Sequence, residues 1–124
     1  MATELVLVVD DNERNSKLVR DVLELAGMRT LSASTAAAGL ALALERQPDV
    51  VLMDLRLPDL DGSEATRRLR EDERTRRIPV VALSALSMSE AETWVSGAGF
   101  DGYIEKPIDV LELPQQVRSY CVPR

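Results

Sequence analysis

Apolar residues along the chain come in short continuous runs that alternate with segments of helical spacing. Leu5-Val6-Leu7-Val8-Val9 is rich in β-branched residues and closes on two aspartates, the pattern of a strand buried on both faces. From Asn12 to Ala26 the apolar positions Leu18, Val22 and Leu25, widened by Val19 and Leu23, fall on one helical stripe, and Gly27 stands where that helix stops. Met28 to Ala33 predicts a second strand, and Thr35 to Arg46 a helix ended by Gln47-Pro48. Val50-Val51-Leu52-Met53-Asp54 repeats the first pattern, an apolar run ending on an aspartate. A turn-rich loop from Leu55 to Gly62 leads into a charged helix over about Ser63 to Asp72, then Pro79 to Ser84 as a fourth strand. A helix at about Met88 to Gly97, a short strand Gly102 to Glu105 and a last helix to about Tyr120, capped by Asp109, complete five strands and five helices.

Strict alternation of strands and helices predicts a doubly wound α/β domain, a parallel sheet with helices on both faces. The 124 residues suit one such domain over 1–124. With 45% hydrophobic and 29% charged residues, the chain has the balance of a globular protein and not of a disordered one. A formal net charge of −6 argues against nucleic acid as a direct partner, because phosphate backbones are bound by an excess of Lys and Arg. The arginines at 67, 68, 70, 74, 76 and 77 are interleaved with Glu64, Glu71, Asp72 and Glu73, which predicts a solvated face and not a basic patch. A single cysteine, Cys121, no basic leader and no apolar run near 20 residues point to the cytoplasm, away from the membrane.

In open parallel sheets the working site lies outside the carboxyl ends of the strands. Those ends carry Asp10-Asp11, Asp54, Ser84 and Lys106. Clustered carboxylates repel unless a cation sits among them. All-oxygen ligands without His or nearby Cys favour Mg²⁺, with Mn²⁺ as the alternative, over Zn²⁺. Three aspartates, one Mg²⁺ and one lysine ammonium sum to zero formal charge, a setting that would receive a phosphoryl dianion, with Asp54 as the candidate nucleophile. Taken singly, each residue has a plainer reading. Asp10 with Glu13 also reads as a capping box, Asp54 as the start of the Leu57-Pro58-Asp59 turn, Ser84 as a cap, Lys106 as a solvated charge and Tyr103 as a packed aromatic. Joint occurrence at one sheet edge favours the chemical reading.

Asp10-Asp11, Asp54 followed by Leu57-Pro58 and Gly62, Ser84-Ala85, and Tyr103 with Lys106-Pro107 resemble the response-regulator receiver family, the single-domain chemotaxis and cell-cycle receivers in particular, along essentially the whole chain. The resemblance implies a flavodoxin-like sheet of order 2-1-3-4-5. It implies Asp54 as phosphoacceptor, Asp10 and Asp11 as the metal pair, the Arg56 backbone carbonyl as a further metal ligand, Lys106 as the phosphate-contacting cation, and Ser84 and Tyr103 as the switch pair. It also implies a histidine kinase or His phosphotransfer protein as donor, and phosphorylation-dependent protein binding through the fourth-helix, fifth-strand, fifth-helix surface as output. The chain is then expected to be a phosphoacceptor that assists its own phosphorylation and dephosphorylation, not a turnover enzyme, and a monomer or a weak phosphorylation-dependent dimer. Ser84 stands where Thr is frequent in the family, Arg56 is expected to alter the lifetime of the phosphorylated state, and Pro114 to bend or delay the last helix. Trp94 on the expected fourth helix is a candidate partner anchor. A haloacid-dehalogenase-type phosphatase would need a second aspartate at the place of Arg56, and a flavin binder would need a phosphate-cradling loop where Asp10-Asp11 stand. An inactive relative would have lost part of the set, which is present in full.

Overall fold

The computed structural model describes residues 3–85 and 99–121. Five parallel strands, β1 (Leu5–Val9), β2 (Arg29–Ala33), β3 (Val50–Asp54), β4 (Val80–Ser84) and β5 (Gly102–Glu105), form one sheet in the order β2-β1-β3-β4-β5. Among the described residues the helices are α1 (Glu13–Leu25), α2 (Ala36–Arg46), α3 (Gly62–Glu71) and α4 (Leu113–Tyr120). The helix expected at about Met88 to Gly97, with Trp94, lies outside the described residues, so four of the five expected helices are described.

The period of two in each strand sorts the core into two layers. Leu7, Val9, Val51, Met53, Val80 and Ala82 pack with Ala36, Ala43, Ala65 and Leu69 of α2 and α3. Val6, Val8, Val50, Leu52, Val81 and Leu83 pack with Val19 and Leu23 of α1 and with Leu113 and Val117 of α4. All positions of β1, β3 and β4 are buried, which is why these strands read as unbroken apolar runs. β2, at the sheet edge, is largely exposed or half-buried. The chain leaves β1 for β2 and returns to β3 on the other side of β1, so a crevice opens between the carboxyl ends of β1 and β3.

Local chemistry sets the helix starts. Asn12, Thr35 and Asp61 accept from the backbone N–H groups of Asn15 (3.0 Å), Ala38 (3.1 Å) and Glu64 (2.8 Å) at the heads of α1, α2 and α3. The cap of α1 is therefore Asn12 and not Asp10, which frees Asp10 for the strand-end cluster. Asp109 does not cap the last helix directly. Its carboxylate holds the turn over 109–112 through the Leu111 N–H (3.0 Å), and α4 starts at Leu113 with Pro114 in its first turn, the delay that Pro114 predicts. Gly27 has the positive φ of 91° that ends α1.

The arginine run is a solvated face with one exception. Arg67 and Arg68 pair with Glu64 on the surface, whereas Arg70 turns inward to the carbonyls of Gly99 (3.1 Å), Arg76 (3.0 Å) and Ile78 (2.6 Å) and to the Asp101 carboxylate. That clamp joins the end of α3 to the starts of β4 and β5.

The α3 cap has a pH signature. Bonds from the Ser63 hydroxyl and the Glu64 N–H hold the Asp61 carboxyl below its ordinary value. A depressed carboxyl contributes stability that is present above its unfolded value, about 3.9, and is lost as pH falls through the folded value. Asp61→Ala is expected to lower stability in urea by about 1 kcal/mol at pH 7, with the gap narrowing as pH is taken below 4. An equal gap at pH 7 and at acid pH contradicts this role for the carboxylate.

Candidate functional site

β1 and β3 lie side by side, paired from Val6↔Val50 to Val9↔Met53, and so deliver Asp10 and Asp54 to neighbouring places at one edge of the sheet. β4 pairs with β3 and ends on Ser84. The Lys106 N–H donates to the Ser84 carbonyl (2.8 Å), which carries the lysine one step past β5 back to the same edge. The cleft enclosed there, about 380 Å³, is lined by Asp11, Asn12, Asp54, Leu55, Arg56, Ser84, Ala85 and Lys106.

Carboxylate oxygens of Asp10, Asp11 and Asp54 all lie within 4.8 Å of one another. The Lys106 ammonium sits 3.4 Å from Asp54 Oδ2 and 3.6 Å from Asp10 Oδ2. The Asp10 side chain is fully buried and that of Asp54 is 10% exposed, so neither charge has water enough to be stable alone. Hydrogen-bond donors of the backbone and of Asn15 compensate in part. Asp10 Oδ1 accepts from the Asn12 N–H (2.9 Å), Asp10 Oδ2 from the Asn15 side-chain amide, and Asp54 Oδ1 from the Arg56 N–H (3.0 Å).

Compensation at Asp54 is incomplete. Burial pushes its carboxyl above the ordinary carboxylate value and the negative charge of Asp10 adds to that push, while the Arg56 N–H and the Lys106 ammonium oppose it. Three carboxylates against one ammonium leave a formal −2, which one divalent cation would cancel. Ligands on one Mg²⁺ at roughly 2.1 Å lie within about 4.2 Å of each other, so a contraction of a few tenths of an ångström would bring these oxygens onto a single ion. The residues thus fit a hard divalent cation, held by Asp10, Asp11 and Asp54, with room left in the cleft for an oxyanion.

Every strand-end residue picked from the sequence stands at this edge. Arg56 lines the cleft, its side chain exposed and its N–H on Asp54. Tyr103 is half-buried on β5 beside Ala82, on the sheet face that packs against α2 and α3. By strand parity the Ser84 side chain belongs to that same face, so the hydroxyl and the ring are diagonal neighbours across β4 and β5.

Two contributors escape a reading of the sequence, and a third, Gly62, is visible there without its structural reason. Asn15 was legible only as a polar residue in the first turn of α1; helical side chains lean toward the N-terminus, which is how its amide reaches back to Asp10. Asp59 bonds across to α2. At Gly62 any Cβ would collide with the carbonyl oxygen of Asp54 and stand 2.9 Å from the Leu55 Cα, so only glycine lets the head of α3 close against the strand that carries Asp54.

Residues 6–118 match the family model described as the response regulator receiver domain. The polar-differentiation response regulator DivK of Brucella ovis is 41% identical over 118 residues, covering 95% of this chain and 96% of DivK, and that of Brucella anthropi is 40% identical over 115 residues. Among solved structures, a response regulator described as putative from Chloroflexus aurantiacus superposes with a TM-score of 0.90 at 27% identity, covering 96% of this chain and 98% of that one. The receiver domain of a sensor histidine kinase from Pseudomonas aeruginosa PAO1, solved with a magnesium ion coordinated in its active-site cleft, superposes with a TM-score of 0.87 at 32% identity, with the same coverage of both chains. A sheet order, a strand-end cluster and a sequence match that runs nearly end to end agree, and the chain belongs to the response regulator receiver domain family of two-component signalling.

Proposed function

We propose that this chain is a Mg²⁺-dependent phosphoryl switch in which Asp54 accepts a phosphoryl group from a phosphohistidine of a histidine kinase or His phosphotransfer protein. The observation that carries this reading is the cluster of buried Asp10 and Asp54 with exposed Asp11, facing Lys106 in an open cleft. An Asp54 oxygen attacks phosphorus, the bond from phosphorus to the donor's imidazole nitrogen breaks, and its electron pair stays on that nitrogen, giving an acyl phosphate. Bound Mg²⁺ would supply charge neutralisation on the phosphoryl oxygens. Lys106 would pair with a phosphoryl oxygen, and the Arg56 N–H keeps one Asp54 oxygen oriented. Water attack on the acyl phosphate would return Asp54 and inorganic phosphate, so the chain acts as a phosphoacceptor that assists its own two steps.

Ser84 and Tyr103, neighbours on one sheet face, would carry the change outward to the surface that includes β5 and α4, and a protein binding one state more tightly would read it. The setting we propose is the cytoplasm. Among the described residues no helix is long and apolar enough to cross a membrane.

Incubation with acetyl phosphate, followed by intact-mass measurement, tests the chemistry. Wild type with Mg²⁺ should gain one phosphoryl group, and wild type with chelator or Asp54→Asn should gain none. A gain in Asp54→Asn, or none in wild type under any donor including a histidine kinase, would sink the reading.

The buried charge gives an independent test. A carboxyl raised in the folded state binds its proton more tightly there, so stability falls as pH rises from about 3.9 through the folded value and stays reduced at neutral pH. In chelator at pH 7, Asp54→Asn should therefore melt a few degrees above wild type, with the difference shrinking below pH 4. Added Mg²⁺ should raise the wild-type melting temperature and narrow the gap, since a ligand that binds only the folded state stabilises it. A metal-free Asp54→Asn that melts lower than wild type would contradict the electrostatic account.

A further inference from the structure

The loop between β3 and α3 forms one wall of the cleft, with Asp54, Leu55 and Arg56 among the lining residues. Its chain geometry reaches the reactive carboxylate directly, because the Arg56 N–H donates to Asp54 Oδ1 at 3.0 Å. Leu57 and Leu60 pack against the core layer on the α2 and α3 side, and the Gly62 N–H returns to the Leu55 carbonyl at 3.0 Å. At the outer turn of the loop Asp59 makes a tie to another element: its two carboxylate oxygens accept from the N–H groups of Ala36 (2.9 Å) and Ala37 (3.0 Å) at the head of α2.

α2 already has a cap of its own. Thr35 Oγ1 accepts from the Ala38 N–H at 3.1 Å, so the helix start is specified from within its own segment. The two bonds to Asp59 are charge-assisted and favoured by the positive end of the helix dipole. They also depress the Asp59 carboxyl below its ordinary value. Asp59 takes the two N–H groups that Thr35 leaves open, and because it comes from a loop more than twenty residues away it also fixes where that loop stands relative to α2.

We propose that Asp59 is a positioning residue for the phosphoacceptor site. By tying the β3–α3 loop to the head of α2 it holds the Arg56 N–H, and through it the Asp54 carboxylate, in the orientation that metal and phosphoryl donor require. The inference rests on the Mg²⁺-dependent reading above. Loss of the tie frees the loop and leaves Asp54 to sample orientations in which its oxygens no longer converge with those of Asp10 and Asp11.

The experiment is calorimetric titration of Mg²⁺ alone into wild type, Asp59→Ala, Asp59→Asn and Thr35→Ala, with acetyl phosphate uptake followed by mass on the same samples. Thr35→Ala removes a cap from the same helix without touching the loop. Asp59→Ala should raise the Mg²⁺ dissociation constant roughly tenfold and slow phosphoryl uptake. Asp59→Asn, which keeps one acceptor oxygen, should fall between it and wild type. Thr35→Ala should melt lower yet bind Mg²⁺ and take up phosphoryl as wild type does. Asp59→Ala titrating like wild type, or Thr35→Ala weakening Mg²⁺ as much as Asp59→Ala, overturns the proposal and leaves Asp59 a helix cap only. A wild type that neither binds Mg²⁺ nor gains a phosphoryl group overturns the functional reading itself, and this proposal with it.

Discussion

Holding three aspartate carboxylates and one ammonium together at a partly dry sheet edge is the constraint on which the rest of this structure depends. Asp10 is fully buried and Asp54 nearly so, and in such surroundings like charges raise one another's free energy steeply. A flexible scaffold would relax by turning the side chains apart into water. Here β1, β3 and β4, buried along their whole lengths, leave the strand ends no freedom to separate. The unfavourable electrostatics are thus stored by packing of the sheet and offset by the donors of Asn12, Asn15, Arg56 and Lys106. A site under that tension would, in the function proposed above, respond to a cation and to a phosphoryl group because each changes the charge balance.

The connections are built to the same end. Gly62 brings the head of α3 against the backbone of Asp54, Asp59 ties the intervening loop to α2, and Arg70 binds the end of α3 to the carbonyls and carboxylate that precede β4 and β5. β5 in turn delivers Lys106, through the bond of its N–H to the Ser84 carbonyl. Each element near the cleft is therefore referred to a neighbour by at least one directional polar contact in addition to apolar packing. Buried Asp49 performs a related task at the opposite edge, accepting from the Leu5 N–H at 2.7 Å, where it anchors the start of β1 and has no part in the cleft.

How much was legible depended on the range of the interaction. Strand and helix positions followed from periods of two and 3.6, which are local properties, and the described elements fall within a residue or two of their expected bounds, except that the last helix starts at Leu113 and not directly after Asp109. Boundaries went astray where a side chain had a choice of partner. The sequence offered Asp10 with Glu13 as a capping box for α1, yet the cap is Asn12, because Asp10 is held by the sheet and by Lys106. Arg70 looks in sequence like its exposed neighbours, and only the folded approach of residues 76–78 and 99–101 gives its guanidinium acceptors to fill.

By itself the sequence determined the alternation of elements, the burial of the central strands and the set of residues at the strand ends, because these depend on side-chain type and spacing along the chain. Through the match over residues 6–118 it also determined the family. The tertiary structure decided which carboxylates converge, that Asp54 is raised by burial, that Asn15 and Asp59 belong to the support of the site, and that Ser84 and Tyr103 share a face. The physical reason is that electrostatic and hydrogen-bond energies fall off over a few ångströms, and separations of that order between residues forty or fifty positions apart exist only once the sheet has been assembled.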